Sequence, residues 1–133
     1  MPDIVQISEA VSLALHGLGL LVAKKERLSV RQMSRMIGVS EAHMAKVFQR
    51  LSKGGLVRSS RGPGGGFELS RDPSEISLYD VYRLVEGEPS LSPCLLGCER
   101  CPFEACLFGG LLGRMKSDFF GYLRNTRLSD LPL

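Results

Sequence analysis

The chain has 133 residues, 44% of them hydrophobic and 23% charged, with no tryptophan and a net charge of +3. That length suits one domain with one core, and that composition excludes a disordered chain. The net charge is too small to imply a polyanionic partner, but its distribution is informative. From Lys24 to Arg61 ten basic residues stand against two acidic ones, whereas from Glu68 to Glu104 eight acidic residues stand against three basic. A basic block beside an acidic one points to a polyanion-binding face.

In chain order, helical spacing of Ile7, Ala10, Val11, Ala14, Leu15, Leu18, Leu21 and Val22 predicts a first helix over about Ile7 to Ala23. The apolar run Val11–Ala23 is broken by Ser12, His16, Gly17 and Gly19. It is shorter than the roughly 20 residues a membrane span needs, and it lacks the basic flank and cleavage site of an export signal. The sequence therefore reads as a cytoplasmic protein with no membrane partner, in a compartment that keeps thiols reduced.

Ser29 is placed to cap a short second helix containing Val30, Met33 and Ile37. Gly38-Val39-Ser40 is a tight turn, and Ser40 is the next cap. A third helix, Glu41 to Lys53, puts Met44, Val47, Phe48 and Leu51 on one face and stops at Gly54-Gly55. Leu56–Ser60 and Gly66–Ser70 read as two strands joined by Arg61-Gly62-Pro63-Gly64-Gly65, a hairpin turn. Ser77 and Asp80 form a capping box that opens a helix carrying Leu78, Val81, Leu84 and Val85 and ending at Gly87. A last helix is expected from Leu107 to Arg124, with Leu112, Met115, Phe119 and Leu123 as an apolar stripe and Phe108, Leu111 and Phe120 beside it. That is more apolar surface than one chain needs to hide, so a homodimer is expected.

Two short helices, a glycine turn and a basic hairpin make the order of a winged helix-turn-helix. The fold class is therefore mainly α with a small β-hairpin wing. Residues 1–87 form the DNA-binding domain, 88–106 a cysteine-rich loop, and 107–133 a dimerisation helix and tail. A basic helix by itself is commonly a solvated face; the capped helix, turn and wing together favour a reading head for double-stranded DNA. Ser40, Glu41 and Ala42 sit at the end where base edges are usually read. His43, Lys46, Arg50 and Lys53 share an exposed stripe opposite Phe48, where cations neutralise phosphates. The hairpin adds Arg58, Ser59, Ser60, Arg61 and Gly62, with Arg61 at the tip suited to a narrow minor groove. The glycine run is not a phosphate-cradling P-loop, because it lacks the Gly-Lys-Ser/Thr ending and lies between strands.

All four cysteines, Cys94, Cys98, Cys101 and Cys106, fall within one short stretch spaced C-x3-C-x2-C-x4-C. Thiolates so placed suit an iron–sulfur cluster or zinc. The spacing matches neither a ferredoxin run nor the paired knuckles of a zinc ribbon. A thiol–disulfide switch is a third reading. No nucleophile–base pair or catalytic carboxylate pair stands out, so no enzyme is expected. A small iron–sulfur electron-transfer protein is the alternative from another class, and the basic helix and wing have no purpose there.

The stretch from about Ile7 to Leu131 resembles the iron–sulfur regulator family that includes IscR, NsrR and CymR. The residues that carry the resemblance are Val39-Ser40, Leu51-Ser-Lys-Gly-Gly-Leu-Val-Arg58, the wing Arg61-Gly-Pro-Gly-Gly-Gly-Phe67, Ile76-Ser-Leu-Tyr-Asp-Val81 with Glu86-Gly87, and Thr126-Arg-Leu-Ser-Asp-Leu131. The resemblance implies a dimeric transcription regulator, of repressor type, that senses redox, nitric oxide or cluster status. It implies a 2Fe–2S or 4Fe–4S cluster held by residues similar in position to Cys94, Cys101 and Cys106, with Cys98 as an alternative ligand. In some members a histidine three residues past the last cysteine completes the set; Gly109 stands there in this chain. In others the first helix of the partner subunit supplies the ligand, and the matching positions are Ser12 and His16.

Overall fold

A computed structural model describes residues 7–89 and 102–133. The first helix, α1, spans Glu9–Lys24. The Ser8 hydroxyl caps it by accepting from the amide of Val11, and it ends at Lys25 in the left-handed conformation. Its buried residues include Val11, Ala14, Leu18 and Leu21.

Helix α2 spans Val30–Ile37 and opens with a capping box: the Ser29 hydroxyl accepts from Gln32 N–H while the Gln32 side chain accepts from Ser29 N–H. Gly38 ends it in the left-handed region, which supplies the sharp turn to the next helix. Helix α3, Glu41–Lys53, is capped by Ser40 and buries Met44, Val47, Phe48 and Leu51. Phe48 has no solvent exposure and is among the largest fully buried side chains.

The hairpin pairs β1, Val57–Ser60, with β2, Gly66–Leu69, antiparallel, in the register Val57 to Leu69 and Ser60 to Gly66. A further rung lies outside the hairpin. Leu28, between α1 and α2, exchanges both backbone hydrogen bonds with Phe67, at 3.1 and 2.7 Å. The approach is close enough that a Cβ on Gly66 would stand 2.5 Å from the Leu28 carbonyl oxygen, and Gly66 has a φ of +146°. Only glycine meets both conditions without strain. The Phe67 ring then packs on Phe48 at 5.2 Å between centroids. The wing is thus fastened to the body by backbone pairing and to α3 by an aromatic contact.

Helix α4, Leu78–Glu86, begins with the expected box, Ser77 with Asp80, and ends at Gly87. Helix α5 spans Leu111–Asn125. The expected start at Leu107 is corrected: Gly109 adopts a φ of +61°, and a turn precedes the helix. The stripe is corrected as well. The buried face is Leu112, Lys116, Phe120 and Leu123, while Met115 faces solvent and Phe119 is half-buried. Phe119 and Phe120 pack edge-on against Tyr82, and Phe120 also meets Tyr79.

After α5 the chain turns back. Ser77 and Arg127 form an antiparallel bridge, with Leu78 N–H donating to Thr126 O and Leu128 N–H to Ile76 O, both at 2.9 Å. Asp130 accepts from Arg127 N–H at 2.8 Å, closing a short 3-10 turn that buries Leu128 completely. Phe120, Leu123 and Leu128 belong to the same core as α1, α3 and α4. The described elements thus share one core, as the length led one to expect.

Candidate nucleic-acid interface

The predicted α3 has the bounds expected, and its residues separate into three groups. Ala42, Lys46, Gln49 and Lys53 are exposed on the side away from Phe48, and Glu41 is exposed in the first turn. Neither Lys46 nor Lys53 has a hydrogen bond or ion pair among the described residues. The Ser40 hydroxyl is occupied as a cap, accepting from His43 N–H.

The other two stripe residues are turned toward neighbouring helices. The His43 ring lies 3.6 Å from the Glu9 carboxylate in the first turn of α1. Arg50 donates Nη1–H to the Val85 carbonyl of α4 at 2.9 Å. A groove between α1 and α3 is lined by Glu9, Leu13, His43, Lys46, Arg50 and Lys53. The stripe legible as one row of four polar residues is therefore two unengaged lysines, a histidine facing Glu9 and an arginine donating to α4.

On the wing, Arg61 and Gly62 are exposed in the connection between the strands, and Arg61 has no partner among the described residues. Arg58 is exposed but engaged, its Nε 2.9 Å from the Glu68 carboxylate opposite it in the ladder. Arg27 reaches the same oxygen at 3.2 Å. These arginines hold the Glu68 carboxyl below its ordinary pKa, the Arg58 hydrogen bond being the largest cause. Ser59 is exposed, whereas the Ser60 hydroxyl oxygen is buried and without a partner among the described residues. Sequence reasoning missed Glu68 and Arg27, which orient the wing; the only sequence signal was opposite charges at residues that the register later pairs.

Of the thiols, Cys106 is exposed, and its carbonyl accepts from Gly109 N–H at 2.9 Å. Cys94, Cys98 and Cys101 lie outside the described residues. His16 is exposed on α1 with Nδ1 2.7 Å from the Ser12 carbonyl. A carbonyl only accepts, so Nδ1 is the donor in this contact. Among the described residues no three metal-ligating side chains come together. No described helix is long and apolar enough to cross a membrane.

A capped helix-turn-helix beside a hairpin wing, with free cations on both, defines a winged-helix DNA-binding regulator. Residues 7–132 match the Rrf2 family, described as iron-dependent transcriptional regulators, and the chain belongs to that family. It is 32% identical over 129 residues to the protein aau3 of Rhizobium meliloti, covering 95% of this chain and 84% of that one. It is 31% identical to the HTH-type transcriptional regulator IscR of Serratia proteamaculans, covering 94% and 73% respectively. The solved structure of CymR, the global cysteine regulator of B. subtilis, superposes with a TM-score of 0.77 at 25% identity, covering 95% of each chain. The family and the IscR and CymR relatives are regulators, not enzymes, by their descriptions.

Proposed function

We propose that the protein binds operator DNA as a homodimer, through the exposed side of α3 and the tip of the wing, and that its cysteine stretch tunes this binding through an iron–sulfur cluster. One observation carries the DNA-facing part: Lys46, Lys53 and Arg61 are exposed and unengaged among the described residues, on the two elements of the fold that reach DNA. Ser40, Glu41 and Ala42 lie where α3 would enter the major groove, and Arg61 and Gly62 where the wing would meet the minor groove.

The second copy is supported by α5. Phe108, Leu111, Met115 and Tyr122 are exposed although apolar or aromatic, and three of them follow helical spacing. Such a patch is covered most simply by the same patch of another copy about a two-fold axis. Two reading heads then address half-sites about one helical turn, roughly 34–36 Å, apart.

For the cluster, the donor set fits by chemistry: thiolates from Cys94, Cys101 and Cys106, with Cys98 or the partner subunit's His16 as the remaining ligand. The Cys106 thiol and the His16 ring are both exposed. A cluster held by these residues would supply redox- and nitric-oxide-sensitive chemistry in the stretch that joins α4 to α5. The deciding experiment is anaerobic purification with iron, sulfide and zinc analysis, followed by DNA binding before and after removal of the metal. Iron with sulfide, and affinities that differ at equal salt, are expected. Zinc alone, or thiols without metal, replaces the cluster by a zinc- or thiol-based sensor.

A further inference from the structure

Three contacts converge on the last turn of α4. The carbonyl of Val85 is one of the orphan acceptors at a helix end. The residue placed to satisfy it within the helix is Pro89, which has no N–H. Arg50 fills that vacancy from α3, at 2.9 Å in a partly buried setting. One turn further along α3, Gly54 lies so close to α4 that a Cβ there would stand 2.4 Å from Leu84 Cδ1. On the far side, Glu86 accepts from the hydroxyl of Ser8, which caps α1. The end of α4 is thus tied to α3 and to the start of α1.

We infer that Arg50 is a positioning residue that sets the angle of the reading helix from the last turn of α4, and that Lys46 and Lys53 carry the phosphate charge on α3. The inference rests on the DNA-binding reading above. Its physical content is a division of labour. A guanidinium already donating to a helix end, with its cation favourably placed at the negative end of the α4 dipole, is fixed before DNA arrives. It contributes geometry, and geometry governs discrimination among sequences more than total charge does.

The test compares wild type, Arg50→Gln, Arg50→Lys, Lys46→Gln and Lys53→Gln on two duplexes. One is enriched by wild-type protein from a random pool and the other is unselected; both are titrated with salt. Lys46→Gln and Lys53→Gln are each expected to lower the slope of log affinity against log salt by about 0.9. Arg50→Gln is expected to keep the wild-type slope while the affinity ratio between the two duplexes falls about ten-fold. Arg50→Lys, which keeps the charge and loses the planar fork, is expected to show the same reduced ratio, and it decides the matter if the glutamine variant does not fold. A slope loss in Arg50→Gln equal to that of the lysine variants overturns the inference and leaves DNA binding standing. An unchanged ratio in either Arg50 variant overturns it too. A wild type that binds neither duplex at low salt sinks the DNA-binding reading itself, and the inference with it.

Discussion

Arg58 and Glu68 meet across the hairpin, guanidinium to carboxylate at 2.9 Å, and Arg27 closes on the same oxygen from the segment between α1 and α2. One carboxylate therefore orients the wing relative to the rest of the reading unit. Its pKa is lowered, so the stabilisation it gives is complete above the ordinary carboxylate range and is lost as pH falls through the lowered folded value. Acidification is expected to loosen the wing, seen as lower protection factors for the amides of Arg58 and Phe67 once the intrinsic pH dependence of exchange is divided out. Glu68→Gln should show the low protection at neutral pH and no further acid response in the hairpin. An acid response retained in that variant assigns it to another group.

Gly66→Ala is expected to destabilise the protein by about 1–3 kcal/mol, the usual cost of a strained backbone position. The new methyl group meets the Leu28 carbonyl, and the backbone there already has a positive φ. Urea titration followed by circular dichroism measures the loss. An unchanged midpoint would mean that the rung between Leu28 and Phe67 is absent in solution.

The carboxylate of Glu9 lies in the groove beside α3 and faces His43. Removing it leaves that face more positive. Glu9→Gln is expected to tighten DNA binding about three- to five-fold at low ionic strength, an effect that fades by 0.5 M salt, where the Debye length is only about 4 Å. Fluorescence anisotropy on one duplex at two salt concentrations checks this. Equal tightening at both would place the effect outside electrostatics.

Met115 and Leu112 lie one turn apart on α5, one exposed and one buried. Met115→Lys is expected to give a folded monomer by light scattering, because it charges the proposed dimer face. Leu112→Ala is expected to cost about 2–5 kcal/mol of stability, as a cavity in the core does. A Met115→Lys protein that stays dimeric would move the dimer contact away from this helix.

Much of this architecture is legible in the sequence where a short-range rule decides the outcome. Ser40, Gly38 and the Gly54-Gly55 pair bracket α3, and capping chemistry places it correctly to the residue. Ser77 with Asp80 does the same for the start of α4. Leu28 is invisible because a one-residue rung has no periodicity; only the chain folded around it brings Phe67 to its side. The inward face of α5 is not legible because the helix carries apolar residues on two neighbouring stripes and buries Lys116, so the pattern of residue types does not say which stripe is inward. For the DNA-facing residues, helical spacing gives an angle around α3 but not the neighbours that stand there. Arg50 and Lys46 look alike on a wheel, and they are separated only by the arrival of α4 next to one of them.

The bridge between Ser77 and Arg127 clasps the start of α4 to the end of α5. Helix α4 leaves from this clasp and α5 returns to it, and both pack into the common core. Closing a longer loop costs little, about 0.6 kcal/mol for each doubling of length. In the proposed function the sensor is the stretch that joins α4 to α5, and its length can change while the clasped scaffold keeps its shape. A fold clasped in this way can exchange the signal it answers to without redesigning the answer.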